Sequence, residues 1–244
     1  MSTTNAESLP EPSPASGKRV LLIGASRGLG LALAQEWLRC GWHVVATVRG
    51  PERTPLHALA DAHGAGIEIE TVDITEPAQI AALRQRLAPR TFDLLFVNAG
   101  VTNQPEGTVA ETSTEEFVRV MVTNSLSPLR VIETLQDLVT PTGTIGVMSS
   151  GQGSVANNER GGHEVYRGSK AALNTFMRSY AARHAGEDRT LVLMAPGWVR
   201  TDMGGSGAHL GIDDSIPNVV KTLDGLKDSP GLHYVDYLGR TVAW

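Results

Sequence analysis

Tyr166 and Lys170 lie four residues apart in the run Val-Tyr-Arg-Gly-Ser-Lys, residues 165–170. On a helix, that spacing places a phenol and an ammonium on one face, one turn apart. A tyrosine ordinarily loses its proton near pH ~10, so at neutral pH it is a weak acid and a negligible base. A fixed cation close by favours the phenolate and lowers that value. The pair can therefore form a proton-transfer device. Taken alone, it can equally be a surface tyrosine whose ring is covered by a lysine stem. The surrounding sequence has to decide.

Apolar runs alternate with helical patterns along the chain. Val20–Ile23 is apolar throughout, as a strand buried on both faces requires. Leu29, Leu33 and Trp37 recur every four residues and define a helix that stops before Gly41. His43–Val48 predicts a second strand, Pro55–His63 a helix, Ile67–Val72 a third strand and Ile80–Leu87 a helix. Leu94–Val97 predicts a fourth strand. Ser113-Thr-Glu-Glu116 has the form of a capping box and opens a long helix carrying Phe117, Val120 and Met121. Thr144–Met148 predicts a fifth strand, Tyr166 to about His184 a helix, and Leu191–Met194 a sixth strand. Ile216, Val219, Val220 and Leu223 mark a late helix, and His233–Val235 a last strand. Regular alternation of this kind implies α/β architecture: a single Rossmann-type, doubly wound parallel sheet of about seven strands with helices on both faces. In such sheets, ligands bind beyond the carboxyl ends of the strands.

The chemically suggestive residues fall at those ends. After the first strand comes Gly24-Ala-Ser-Arg-Gly-Leu-Gly30, a turn that lets the backbone approach a pyrophosphate at the start of a helix. It lacks the Gly-Lys-Ser/Thr ending of a P-loop. After the second strand stands Arg49, where a site selecting a free ribose 2′-hydroxyl usually has an acid. Arg49 and Arg27 suit a 2′-phosphate, although two solvated arginines would read the same way. Asp73-Ile74, Asn98-Ala99-Gly100, Ser149-Ser150 and Pro196-Gly197 with Thr201 follow the remaining strands.

Bulk properties narrow the function classes. The 244 residues suit one large α/β domain, at 41% hydrophobic and 19% charged. The net charge of −5, without a Lys/Arg cluster, argues against a nucleic-acid surface. The lone cysteine, Cys40, excludes an intrachain disulfide, fits a reducing compartment such as the cytoplasm, and is expected to be a small buried apolar residue. The seven histidines show no ligand spacing, so no metal site is expected. No apolar run approaches the ~20 residues of a membrane span, and no signal-peptide core precedes residue 18. Residues 1–17, rich in Ser, Pro, Glu and Thr, are expected to be a flexible tail ahead of a domain spanning 18–244.

Together these motifs resemble the classical branch of the short-chain dehydrogenase/reductase family over nearly the whole chain, from about Lys18 to Trp244. Gly24-x-x-x-Gly28-x-Gly30 resembles the family's cofactor turn, Asn98-Ala99-Gly100 its sheet-stabilising motif, Asn124 its active-site asparagine, Tyr166 and Lys170 its catalytic pair, and Pro196-Gly197 its nicotinamide-side turn. Tyr-Arg-Gly-Ser-Lys170, the run Pro196–Gly205 and the Trp244 ending are similar to the subgroup containing C-factor and the sniffer carbonyl reductases. The family usually has Thr before its first glycine, where this chain has Ile23. Aligning Ser150-Gly-Gln-Gly153 on the family's Ser-x-x-Gly favours Ser150 over Ser149 as the catalytic serine.

The resemblance implies an NADP(H)-dependent enzyme that reduces a ketone or aldehyde reversibly by hydride transfer. It implies Asn124, Ser150, Tyr166 and Lys170 as catalytic residues. For the cofactor it implies Gly24, Ser26, Arg27, Gly28, Leu29, Gly30, Arg49, Asp73, Ile74, Asn98, Ala99, Gly100, Tyr166, Lys170, Pro196, Gly197, Val199 and Thr201. Lys170 is then expected to lower the Tyr166 pKa, and Asn124 to anchor a water linking Lys170 to solvent. A homodimer or homotetramer built through the helices starting near Ser113 and Tyr166 is implied as well. Two other readings stay open: a non-catalytic NADP(H)-binding sensor or signalling protein, and an epimerase or dehydratase that retains its cofactor. The segments 151–164 and 202–215 flank the site in this topology and are expected to be mobile. Met203 and Leu210 are placed to close over a ligand, and Trp198 either lines the pocket or packs the core.

Overall fold

Short apolar runs become strands because both of their faces are covered. The computed structural model describes residues 17–103 and 107–244. The expected tail lies outside them except for Gly17. Seven strands form one sheet: β1 (Arg19–Ile23), β2 (His43–Val48), β3 (Ile67–Thr71), β4 (Phe92–Val97), β5 (Val139–Met148), β6 (Thr190–Ala195) and β7 (Gly231–Asp236). Their order is β3-β2-β1-β4-β5-β6-β7, and every pairing is parallel. The crossovers are α1 (Gly28–Arg39), α2 (Pro55–His63), α3 (Pro77–Leu87), α4 (Thr114–Met121) with α5 (Ser127–Leu135), α6 (Glu164–Arg183) and α7 (Ile212–Gly225).

Successive strand residues face opposite sides, so each strand feeds two cores. Leu21, Ile23, Leu95, Val97, Ile145 and Val147 pack with Ile80, Leu83, Val131, Leu135, Leu173 and Met177 of α3, α5 and α6. Val20, Leu22, Ala46, Phe96, Val192 and Met194 pack with Leu33, Trp37, Leu56, Ile216 and Val219 of α1, α2 and α7. Trp37 is 1% exposed and meets Phe96 edge-on with centroids 5.8 Å apart. Leu33 and Trp37 are thus the core face expected of the first helix.

The expected elements all form, with changed edges. β5 begins at Val139, five residues before the expected start, and α6 begins at Glu164 rather than Tyr166. The long helix opening at Ser113 is not uniformly α-helical. The Ser113 hydroxyl caps it by accepting from the Glu116 amide at 3.2 Å. A π-helical stretch, Val122–Leu126, then separates α4 from α5. Pro128 in the first turn of α5 lacks an amide hydrogen, which apolar periodicity does not register. Asn124 sits inside that stretch.

Cys40 departs from expectation. It is only partly buried, at the end of α1, with its thiol 3.9 Å from Glu36 Oε1. Partial burial, followed by the Glu36 charge, raises its pKa. Among the described residues, no helix is long and apolar enough to cross a membrane.

Candidate active site

Because every strand runs the same way, the residues that follow β1 to β6 share one edge of the sheet. The glycine turn, Arg49, Asp73, Asn98 to Gly100, Ser150, and Pro196 to Thr201 all lie there. This is the edge at which ligands enter open α/β sheets.

The glycine turn is braced from two neighbouring strands. Gly24 donates its amide to Thr47 Oγ1 at 2.9 Å, and Ala25 donates to the Thr47 carbonyl at 2.8 Å. Asn98 Nδ2 donates to the Gly24 carbonyl at 2.7 Å, while the Asn98 and Ala99 amides both reach the Ile23 carbonyl. A Cβ on Gly24, at φ +88°, would stand 2.8 Å from the Ala99 Cβ, and one on Gly30 would collide with the Gly24 carbonyl. These two glycines let the turn fold against the Asn98-Ala99-Gly100 segment. Gly28 faces open space. Arg27 precedes α1 without capping it, and no acid occupies its first turn. An uncapped helix start with open space at Gly28 fits a group carrying phosphates.

The residues expected at the periphery of the cofactor are less closely gathered. Arg49 is exposed. Arg27 is exposed too, and its guanidinium lies 3.4 Å from Asp202. The Asp73 carboxylate accepts from the Thr75 amide and hydroxyl at 2.9 and 2.7 Å, so it shapes its own turn. Ile74 and Val199 are buried, and Ser26 and Leu29 partly so. Gly197 lies against Leu210 and Tyr237, and Pro196 accepts from the Ser215 hydroxyl at 2.7 Å. The Thr201 hydroxyl accepts from the Gly204 amide at 3.1 Å. Trp198, 52% exposed, is outside the core; its indole donates to the Gly204 carbonyl at 2.8 Å.

The four expected catalytic residues do converge. Lys170 is 3% exposed and donates from Nζ to the Met148 carbonyl at 2.8 Å. Nζ also stands 5.8 Å from the Tyr166 ring centroid, one helical turn away. Ser150 stands close enough to Tyr166 to pull the phenol's pKa down, against the larger effect of burial. The Ser150 hydroxyl also accepts from the Gln152 amide at 3.1 Å. Ser149 points elsewhere and donates to Asn174 Oδ1 at 2.6 Å, as alternation along a strand requires. A Cβ on Gly100 would lie 3.3 Å from Asn124 Oδ1 and 3.5 Å from Lys170 Nζ, so these groups flank one small space.

One expectation needs correction. Lys170 does not lower the Tyr166 phenol. Burial raises it, the neighbouring Ser150 opposes the rise, and Tyr234 adds to it. Burial also lowers the Lys170 pKa to about 8, which weakens the cation that was to act on the phenol. The Asn124 side chain also ties two neighbouring segments together. It spans both backbone groups of Val101 at 2.8 Å and donates to Ser169 Oγ at 2.9 Å.

Sequence reasoning missed Thr47, Ser169, Asn174 and Tyr234. Asn174 had a signal, since it continues the four-residue spacing of Tyr166 and Lys170 along one helix face. The segment 151–164 is also less free than expected. It opens with a 3-10 turn, Gly151–Gly153, whose Gly153 carbonyl accepts from Asn174 at 3.2 Å.

The fold and this crevice together define a dinucleotide-binding class of protein, and comparison with known proteins makes that specific. The family model for short chain dehydrogenases matches residues 18–209. A short-chain dehydrogenase/reductase from Burkholderia multivorans, solved with bound NADP, is 59% identical with a TM-score of 0.92, covering 93% of this chain and 100% of its own. The carbonyl reductase Sniffer of D. melanogaster is 28% identical with a TM-score of 0.86, over 93% of this chain and 100% of its own. The C-signal protein of Myxococcus xanthus is 35% identical over 154 residues, 62% of this chain and 92% of its own length. The chain belongs to the short-chain dehydrogenase/reductase family of oxidoreductases, and its relatives include C-signal and the Sniffer carbonyl reductase.

The depressed Lys170 value has a measurable consequence. From its ordinary 10.5, the folded-state pKa falls to about 8. Between those values the unfolded chain binds a proton that the folded chain has released, so stability rises with pH across that window. Below it, both states carry the proton and the full cost of the buried charge is present. Urea denaturation of the wild type and Lys170→Met should therefore show a stability difference that moves in favour of the wild type from pH 8 to 10. A difference that does not change with pH would contradict a buried, depressed lysine.

Proposed function

We propose that the protein is an NADPH-dependent reductase that converts a ketone or aldehyde to an alcohol, reversibly. The observation that carries this reading is the placement of the Tyr166 ring 5.8 Å from the Nζ of buried Lys170, one helical turn away, with Ser150 near enough to act on the phenol. The NADP-bound Burkholderia relative and the Sniffer carbonyl reductase support the cofactor and the substrate class.

The chemistry that NADPH would supply here, when bound, is hydride donation. The chain's own residues manage the oxygen. Ser150 donates a hydrogen bond to the carbonyl oxygen as negative charge grows on it. Tyr166 then gives that oxygen its proton. A raised phenol pKa keeps Tyr166 protonated at neutral pH, the form reduction needs. Lys170 would hold the ribose hydroxyls of the cofactor. Asn124 fixes Val101 and Ser169 and anchors a water that links Lys170 to solvent. The N-terminal end of α1 would hold the pyrophosphate, and Asn98, Ala99, Gly100, Pro196, Gly197, Val199 and Thr201 would hold the rest of the dinucleotide. Arg27 and Arg49 take the 2′-phosphate, which requires Arg27 to leave Asp202.

Tyr166→Phe should keep NADPH affinity within about threefold while kcat falls by roughly 10²–10⁴, the range of a lost general acid. Fluorescence titration and steady-state turnover check this, and unchanged turnover would refute the role. Arg49→Asp should move the NADPH-to-NADH ratio of kcat/KM towards NADH by about tenfold or more, since a carboxylate repels the phosphate. An identical ratio would remove Arg49 from the 2′-phosphate site.

A further inference from the structure

Three consecutive residues at the end of β5 are each gripped by a side chain from another element. Lys170 Nζ donates to the Met148 carbonyl at 2.8 Å. Ser149 Oγ is held by Asn174 Oδ1 at 2.6 Å. The Ser150 carbonyl accepts from the Tyr234 hydroxyl at 2.6 Å. The first two grips come from α6, on the same helix face as Tyr166. The third comes from β7, the edge strand, reaching past β6. It holds the serine whose hydroxyl meets Tyr166.

Tyr234 is itself constrained. It is 2% exposed, and its ring lies 5.3 Å from that of Trp244. The Arg178 guanidinium covers Trp244 at 4.4 Å from the ring centroid. The Trp244 main-chain oxygen accepts from the Ala156 amide at 2.9 Å, tying down the loop that follows Ser150. One small cluster thus holds both the serine backbone and its outgoing loop.

We propose that Tyr234 is a positioning residue that aims the Ser150 hydroxyl at the reacting carbonyl oxygen, with Trp244 bracing both Tyr234 and the 151–156 loop. The inference rests on the carbonyl-reduction reading above. The distance from a preorganised donor to a developing oxyanion governs its effect, and a displacement of about 1 Å can cost on the order of 10²-fold in rate. A hydroxyl fixing the donor's own carbonyl therefore acts on the transition state without touching substrate.

The test compares wild type, Tyr234→Phe, Ser150→Ala and the double variant, using NADPH with a panel of ketones and aldehydes. Tyr234→Phe keeps the ring that packs on Trp244 and removes only the hydroxyl. We expect kcat to fall about tenfold in Tyr234→Phe, with NADPH affinity and the thermal midpoint essentially unchanged. In the Ser150→Ala background the same change should have no further effect, because the two act through one group. A kcat within twofold of wild type, or an equal loss on top of Ser150→Ala, would overturn the inference. Amide hydrogen exchange gives a readout independent of turnover. Exchange in the peptide 149–157 should quicken in Tyr234→Phe and in Trp244→Leu, and unchanged exchange there would also overturn it. If the wild type reduces no carbonyl, the reductase reading itself fails, and the exchange result still decides whether Tyr234 holds this segment.

Discussion

Parallel pairing throughout the sheet makes every strand deliver its carboxyl end to the same edge. Six separated stretches of sequence thereby become neighbours: the glycine turn, Arg49, Asp73, Asn98 to Gly100, Ser150 and Pro196 to Thr201. The two cores enforce this arrangement, since a strand buried on both faces must be covered by a crossover helix before the chain returns. The edge that results is held by side chains as well as by the ladder. Asn98 grips the glycine turn, Thr47 grips it from the other side, and Lys170, Asn174 and Tyr234 grip the end of β5.

The same burial that builds the site sets its electrostatics. Lys170 points its ammonium at a backbone carbonyl in a place that disfavours its charge, and Tyr166 is raised above its ordinary range. Both shifts have desolvation as their largest cause. A carbonyl oxygen gaining negative charge in this crevice would meet a protonated phenol and a neighbouring serine hydroxyl. Preorganisation of this sort avoids the cost of turning dipoles during the reaction.

Much of this was legible from residue types and spacing. Runs such as Val20–Ile23 and Leu94–Val97 announce strands buried on both faces, and a four-residue spacing placed Tyr166 beside Lys170. Ser150 was favoured over Ser149 by the likeness of Ser150-Gly-Gln-Gly153 to the family's Ser-x-x-Gly, and the two serines do point to different partners. The rest depended on contacts between distant segments. Thr47 stands alone in a strand and gives no sign that it holds the Gly24 amide, a support for the turn in a chain with Ile23 where a threonine is usual. Tyr234 lies 84 positions from the carbonyl it binds. The pKa directions could not be anticipated, because a proximity argument weighs the nearby cation and leaves out the desolvation of both groups. The π-helical stretch at Asn124 preserves the apolar periodicity on either side and so stays hidden.

The central claim is that Ser150, Tyr166 and Lys170 act together on a carbonyl oxygen during net reduction. The most direct measurement is to follow loss of the reduced-nicotinamide absorbance with a set of ketones and aldehydes while quantifying the product by chromatography. One alcohol formed for each NADPH consumed is the result this account predicts. NADPH that binds and is never consumed, or a product formed without its consumption, would contradict it.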